Sequence, residues 1–371
     1  MSDKKPESQD DQLSQLDLEE LRRRIDEIDE RLVQALSDRA NVVVEVGRAK
    51  RTDGTPIYAP DREKRVLERV LSLNKGPLSS RSIEAIYREL MSGSFSLELP
   101  LRIGYLGPPG TFSHAAAIRH FGSSVELVEH SAIDMVFEDV AARRVNYGLV
   151  PYENSIGGSI TDTLDAFRDH DVIVYAEAQV QVDQSLLANC DQGEITAIHS
   201  KPQAFTQCRK WLLDRFPRVP LIPRASTALA VQAAAEEHGV AAVGSPFAGE
   251  IHGVNVLFER ISDKPNNITR FLVISREVAK PTGQDKTSVM FTTKHEPGAL
   301  VDVLLEFRKA GVNLSHIDKR PSGRENWDYT FFIDTEGHIE DDRLVQAVEG
   351  ARSHCVDLRV LGSYPKSQRV L

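Results

Sequence analysis

The chain has 371 residues, 41% of them apolar, and a formal net charge of −10; this is too long for one ordinary domain, and packed cores in two or three units are expected. The acidic balance argues against a nucleic-acid partner, because phosphate binding is driven by clustered Lys and Arg, while leaving room for a small anionic substrate held by local cations. No window approaches the roughly 18 uninterrupted apolar residues of a membrane helix, so no membrane partner is expected, and Cys190, Cys208 and Cys355 lack any CxxC spacing, which argues against a disulfide framework or a metal site and fits a cytoplasmic location.

Residues 1–15 are polar and acidic, without a basic start or an apolar run, and are expected to form a solvated, disordered tail rather than a secretory signal. From 17 to 51 there is no proline, and Leu18, Leu21, Ile25, Ile28, Leu32 and Ala35 recur at spacings of three and four, which predicts one helix with a narrow apolar seam. At 1.5 Å per residue it is about 50 Å long, beyond a typical globular helix, so it is expected to pack against a partner chain. Two further helices are predicted over 61–73 and 79–97. At Pro100 the texture changes. Short β-branched runs at 102–106, 125–129, 147–150, 195–199 and 241–244 predict strands, and 114–120, 132–142, 202–214 and 227–238 predict helices between them. Such alternation implies a largely parallel α/β architecture. After a linker at 279–285, strands at 287–293, 314–319, 327–334 and 357–361 and helices at 299–310 and 342–351 follow in the order βαββαβ, the ferredoxin-like arrangement.

On the first helix Arg39 and Lys50 are eleven positions apart, which returns them to nearly the same face at roughly 16 Å, within reach of one small molecule. Arg22 is about 25 Å from Arg39 and turned away, so only an antiparallel partner helix brings it to the same site. Charges on a helix usually mark a solvated face, and it is the wider pattern that changes the reading. Leu21-Arg22, Ser37-Asp38-Arg39, the run from Glu45 to Lys50, Asp61-Arg62-Glu63, and Ser94 with Glu98 resemble the all-helical chorismate mutase family over 17–98. The rearrangement of chorismate needs no covalent catalysis; cations and donors aimed at the ether oxygen lower the barrier. The resemblance implies that Arg39 and a partner-chain Arg22 bind carboxylates and that Lys50 faces the ether oxygen. Glu63 would take the ring hydroxyl, Arg62 would support the site, and Ser94 would touch a carboxylate. Ala59 stands where some relatives carry a polar residue, so a contact there must come from backbone. Glu98 stands where some members place Gln against the ether oxygen; since a carboxylate cannot donate, Glu98 is expected to act in its protonated form, with mutase activity falling as pH rises. Lys50 and Glu98 are thus the catalytic candidates here.

In the central unit Gly107-Pro108-Pro109-Gly110-Thr111 forms a Gly-rich strand-to-helix turn of the kind that binds anions, without the Lys-Ser/Thr ending of a nucleotide loop. Taken singly, this turn and the Ser and Thr residues after later strands read as helix caps. Collectively GPPGTFSH, VPYENSIGGSI, HSKPQAF, STALA, AAVGSPFAGEIHGV and NNITRF resemble prephenate dehydratase from end to end. This implies two α/β lobes like a type-II periplasmic binding fold, with substrate in the hinge cleft. Prephenate must lose its ring carboxylate and its hydroxyl, so a proton donor near that oxygen helps. By resemblance Thr269 is the catalytic hydroxyl, Arg270 holds a carboxylate, and Asn154, Ser200 and Gln203 orient the substrate, with Thr111, Glu153 and Ser155 in the lining loops. Phe271 is expected to pack as core at the edge of the site. His114 and His199 read as structural.

Glu296-Pro297-Gly298-Ala299-Leu300-Val301 and the stretch from Asn313 to Pro321 resemble the GALV and ESRP signatures of the ACT regulatory domain, the second imperfectly because Asp318 and Lys319 replace Glu and Ser. The implied effector is phenylalanine, bound between paired chains by Gly298, Ala299, Leu300, Asn313 and Leu314. The whole is expected to be multidomain: an all-α three-helix chorismate mutase domain at 16–99, the two-lobed α/β dehydratase at 101–278, and an α+β ferredoxin-like ACT domain at 286–364. It resembles the bifunctional chorismate mutase and prephenate dehydratase family, acting on chorismate and prephenate as a homo-oligomer, at least a dimer, with no cofactor and no metal. An arogenate-preferring dehydratase and a non-catalytic aromatic-metabolite sensor are the competing readings; retained Thr269 and the mutase cation set argue against the sensor.

Overall fold

The computed structural model describes residues 18–322, 328–367 and 369–371; the predicted tail and Trp327, at the head of a predicted strand, lie outside them. The chain divides into two compact units, 1–57 with 97–99, and 58–96 with 100–371.

The first unit is built on helix α1 (Leu18–Asp53), whose ends suit the helix dipole: Glu19 and Glu20 open it, and Lys50 and Arg51 close it. Gly54, at φ 69°, ends it in the left-handed region. Leu18, Ile25, Ile28 and Leu32 of the predicted seam are each more than half exposed. Gly47 is buried, and a Cβ there would lie 2.9 Å from the Cα of Glu98, so this close approach requires glycine.

In the second unit, helix α2 (Pro60–Leu73) starts on a proline with Asp61 and Glu63 in its first turn, a favoured N-terminal composition. It runs with α3 (Ser80–Glu98), whose last two residues fall in the first unit. Tyr58, just before α2, is 1% exposed. Its ring meets Phe95, His120, Phe121, Tyr147 and Tyr175 edge-on at 5.2–5.9 Å, and its hydroxyl lies 2.8 Å from His120 Nε2. An aromatic with a satisfied hydroxyl is a strong anchor, and here it fixes the start of α2 on the first lobe.

That lobe contains β1 (Arg102–Leu106), α4 (Phe112–Phe121), β2 (Glu126–His130), α5 (Ile133–Ala141), β3 (Tyr147–Asn154), β4 (Gly158–Ser159), α6 (Thr161–Asp169) and β5 (Ile173–Gln181). The chain then builds the second lobe from β6 (Ser185–Leu187), β7 (Ala197–Ser200), α7 (Pro202–Gln207), α8 (Arg209–Arg215), β8 (Leu221–Pro223), α9 (Thr227–Glu236), β9 (Val240–Gly244), α10 (Pro246–His252) and β10 (Val256–Phe258). It returns to the first lobe as β11 (Ile268–Ser275). The sheets run β2-β1-β3-β11-β5, with β4 beside β3, and β10-β6-β9-β7-β8. Neither is largely parallel, contrary to expectation: β11 pairs antiparallel with both β3 and β5, and β6 antiparallel with β9 and β10. In the first sheet the cause is the return crossing, which brings β11 back between strands already laid down. The predicted helix at 202–214 is also two helices, divided at Cys208.

The last 87 residues form β12 (Asp285–Thr293), α11 (Ala299–Lys309), β13 (Leu314–Pro321), β14 (Tyr329–Glu336), α12 (Asp342–Arg352) and β15 (Cys355–Pro365), in the expected βαββαβ order. The sheet order β13-β14-β12-β15 is antiparallel throughout. Alternation along β12 sends Val289 and Phe291 to the two helices and Met290 to the opposite face. There Met290, Phe332, Leu361 and Tyr364 share a core with Phe167, Leu272 and Ile274 of the first lobe.

Candidate active sites

In the first unit the Lys50 ammonium donates to Glu98 Oε2 at 2.7 Å and to the Ile57 carbonyl at 2.9 Å, and Arg51 donates to the Glu98 carbonyl at 2.7 Å. The two mutase catalytic candidates are therefore in direct contact. Glu98, 7% exposed, accepts from Lys50, so the expected acid donor is seen here as an acceptor. Arg22 is exposed and Arg39 half-buried on the same helix.

In the second unit the Ala59 carbonyl accepts the backbone N–H groups of Arg62 and Glu63 at 3.0 Å; the backbone at Ala59 thus serves the helix start. Arg62 is exposed. Glu63 lies 3.4 Å from Arg88, and burial raises its carboxyl above the usual range against the opposing pull of Arg88. Burial, helped by Arg88, pushes the His120 imidazole down to about 3, so it meets Tyr58 neutral. The Ser94 hydroxyl donates to the Leu90 carbonyl at 2.7 Å, the back-bonding typical of a mid-helix serine.

The candidates of the central unit centre on two paired strands. In the register of β3 and β11, Asn154 faces Thr269 and Glu153 faces Arg270. Asn154 Nδ2 donates to Thr269 Oγ1 at 3.0 Å and to Asn267 Oδ1 at 2.7 Å, while its Oδ1 accepts from the Ile156 and Gly157 amides at 3.1 and 2.8 Å. The Asn154 amide is thus fixed on both sides and aimed at the Thr269 hydroxyl. A hydroxyl that accepts such a bond keeps its own proton to donate. Ser155 Oγ donates to the Asn266 carbonyl and accepts from the Ile268 amide at 3.1 and 2.9 Å, closing the loop over β11.

Thr111 Oγ1 accepts from the His114 amide and donates to the Leu106 carbonyl, so its hydroxyl caps α4. Gly110, at φ 85°, brings this turn against α10: a Cβ would meet Ala248 at 3.3 Å, and Ser245 Oγ donates to the Gly110 carbonyl at 3.4 Å. The two lobes touch there. Ser200, fully buried, donates to the Val243 carbonyl at 2.7 Å, and Gln203 is exposed at the start of α7. His114 accepts from the Gly110 amide and stacks on Tyr105 at 4.9 Å; burial lowers its pKa. His199 accepts from Arg224 at 3.2 Å. Both rings are held by these protein contacts, and Phe271, 1% exposed, is core.

Arg270 departs most from expectation. Its side chain is buried and points away from Thr269; Nε donates to Glu177 Oε2 at 2.6 Å, one terminal nitrogen to Asp334, and the other to the Tyr364 hydroxyl at 2.8 Å. Tyr152 covers the guanidinium at 5.0 Å, and Lys286 also donates to Glu177, at 3.1 Å. Protein acceptors thus occupy all three nitrogens, and the expected substrate clamp does not fit this geometry. Glu177, Lys286, Asp334 and Tyr364, like Asn267, were not among the sequence candidates. A charged residue inside the apolar run of β5, at Glu177, was the signal available.

In the C-terminal domain Gly298, Ala299 and Leu300 line one cavity with Thr293, His295 and Phe331. Asn313 lines a separate one with Glu336, and Leu314 packs against the domain core. Within one chain the five effector candidates do not converge.

Two family models match the chain: chorismate mutase type II over 21–99 and prephenate dehydratase over 103–279. The bifunctional chorismate mutase/prephenate dehydratase of Stutzerimonas stutzeri is 42% identical over 357 residues, covering 94% of this chain and 98% of that protein. The Aquifex aeolicus protein of the same description is 41% identical, covering 95% and 98%. The chain belongs to the bifunctional chorismate mutase/prephenate dehydratase family. The enzyme accordingly converts chorismate to prephenate and prephenate to phenylpyruvate, with loss of CO2 and water. Among solved structures, the prephenate dehydratase of Arthrobacter aurescens in complex with L-Phe is 33% identical, with a TM-score of 0.68, over 72% of this chain and 90% of that one. That of Staphylococcus aureus is 27% identical, with a TM-score of 0.63, over 71% and 100%. For a bifunctional enzyme of this family, the mutase model falls on α1 to α3 and the dehydratase model on the two lobes.

Proposed function

We propose that dehydration is assisted by the Thr269 hydroxyl, which hydrogen-bonds to the departing hydroxyl of prephenate while the Asn154 amide holds its oxygen. The carrying observation is the 3.0 Å bond from Asn154 to Thr269, with Asn154 itself held by Asn267 and two backbone amides. Hydroxide leaves poorly without a proton, and aromatisation supplies the driving force, so one well-placed donor is the chief requirement. The chain crosses between lobes twice, at 182–184 and 259–267, which supports a hinge with substrate in the cleft. Thr111, Glu153, Ser155, Ser200 and Gln203 contribute mainly by shaping the loops around that cleft.

For the mutase, Lys50 faces the ether oxygen and trades its Glu98 contact for the substrate, with Arg39 on the same helix and Arg22 supplied by a second copy; Arg62, Glu63 and Ser94 keep the substrate-binding roles that the family resemblance implies. The exposed seam of α1 supports that copy, and the enzyme acts as at least a dimer in the cytoplasm. The C-terminal sheet is an ACT domain that binds phenylalanine as feedback inhibitor. Support comes from its strand order, from β13 as an open edge with Ile317 half exposed, and from the L-Phe complex of the Arthrobacter relative. The split of Gly298, Ala299 and Leu300 from Asn313 and Leu314 suits a ligand held between two such domains.

The decisive assay incubates the purified full-length protein with chorismate, prephenate or arogenate and follows phenylpyruvate and phenylalanine. Thr269→Ala should abolish formation of the aromatic product and leave chorismate consumption intact. Near-normal dehydratase turnover in that variant would overturn the assignment, and faster turnover of arogenate than of prephenate in the wild type would change the substrate.

A further inference from the structure

Arg270 and Thr269 are neighbours on one strand, yet they serve opposite faces of the sheet. Asn154 and Glu153 repeat the pattern on the paired strand. Thr269 and Asn154 join each other on one face, whereas Arg270 and Glu153 reach toward the C-terminal sheet. Arg270 bonds Asp334 and Tyr364 of that sheet, and Glu153 Oε2 lies 3.6 Å from His316 Nδ1 on β13.

The buried centre of this contact is electrically balanced: two cations, Arg270 and Lys286, face two carboxylates, Glu177 and Asp334. Second bonds fix each member. Asp334 Oδ1 accepts from Ser288 at 2.6 Å, Ser288 meets the Tyr364 hydroxyl at 2.7 Å, and the Ser367 amide donates to Glu177 Oε1 at 2.7 Å. A buried ion pair adds little net stability over an apolar pair of the same size, but it tolerates little displacement of either partner. The planar guanidinium adds angular restriction. Any shift of β14 or β15 is therefore passed through the Arg270 side chain to its own backbone. There β11 already departs from regular register with β3, between Arg270 and Phe271, one residue from Thr269.

We propose that Arg270 is a positioning residue. It ties the strand carrying Thr269 to the C-terminal sheet, so that ligand occupancy of that domain sets the dehydratase rate. This rests on the reading of that domain as the phenylalanine site. The coupling needs two arrangements of one element, biased by both ligands, and the Arg270 to Asp334 pair is that element: bonded when Thr269 is aligned, displaced when it is not.

The test uses the full-length protein as wild type, Arg270→Lys, Asp334→Asn and Tyr364→Phe. Phenylpyruvate formation is measured against prephenate with and without saturating phenylalanine, phenylalanine binding by calorimetry, and mutase turnover on the same preparations. The expected result for Arg270→Lys is a kcat at least tenfold lower with KM within twofold of wild type. For Asp334→Asn and Tyr364→Phe, phenylalanine still binds, but its maximal inhibition is at least threefold weaker, with mutase turnover unchanged. A tenfold rise in KM at unchanged kcat in Arg270→Lys would make it a substrate clamp, and wild-type inhibition in both other variants would remove the coupling. Tyr364→Phe deletes a single hydroxyl and decides alone if the charge variants fail to fold. A wild type that binds no phenylalanine calorimetrically would overturn the effector reading itself, and the coupling with it.

Discussion

Adjacent side chains on a strand face opposite ways, and on β11 that alternation separates the contact with Asn154 from the contact with the C-terminal sheet. Thr269 meets Asn154, Arg270 turns to the C-terminal sheet, and Phe271 fills the core. The identity of the triplet was readable from the neighbouring motifs; the direction of Arg270 was not, because its partners Asp334 and Tyr364 lie 64 and 94 residues away. The contact of Lys50 with Glu98 was likewise half legible: both residues were singled out, but not that each would be the other's partner. Glu98→Gln replaces an acceptor of Lys50 with a group that can donate to the ether oxygen at any pH. We expect its mutase turnover on chorismate, measured beside the wild type at one fixed pH, to match or exceed the wild-type rate; a tenfold loss would refute this. Tyr58→Ala should lower stability by about 3–5 kcal/mol, the usual cost of emptying a large buried aromatic site, read from denaturant unfolding. Tyr58→Phe, losing only the His120 contact, should cost about 1 kcal/mol.

Among the elements, α1 was the most legible and stands apart energetically. Its spacing of apolar residues gave its extent to within two residues of 17–51, since a helical pattern is local. Its seam is exposed at Leu32 and Ile28, and in proteins most helical stability comes from packing such an apolar face. Leu32→Glu should therefore shift the protein toward monomer by analytical ultracentrifugation and reduce mutase turnover at least tenfold, while dehydratase turnover per chain changes little. Strands β5 and β11 were the least legible. Glu177 and Arg270 interrupt their apolar runs, and a strand buried on both faces lacks the alternation that marks a half-exposed one. The contact of β15 with β5 depends on Gly362, at φ 143°, which lies directly on the Val174 backbone. Alanine there is strained by its φ and also blocked.

At the scale of the whole molecule, ion pairs between the first lobe and the C-terminal sheet make their association sensitive to acid. The hydrogen bond from Arg320 on β13 holds the Asp165 carboxyl of α6 below the usual range. Burial would raise Asp334, but Arg270 pulls it below its ordinary value. A depressed carboxyl contributes stability that is full above the unfolded value of about 4 and is lost as pH falls through the lower folded value. The thermal midpoint should therefore drop as pH is taken from about 5 toward 3, and Asp165→Asn should flatten part of that slope in calorimetry. Domain order and the ferredoxin-like pattern were legible because each is sequential. The mixed sheet was not, because its central strand arrives only after the second lobe has been traversed. That late arrival orders events on the ribosome. A nascent chain ending near residue 260 has the facing edges of β3 and β5 unpaired, an invitation to misassociation. The strand that closes this gap is the one that carries Thr269, so the Asn154–Thr269 contact and the finished sheet come into existence in the same step.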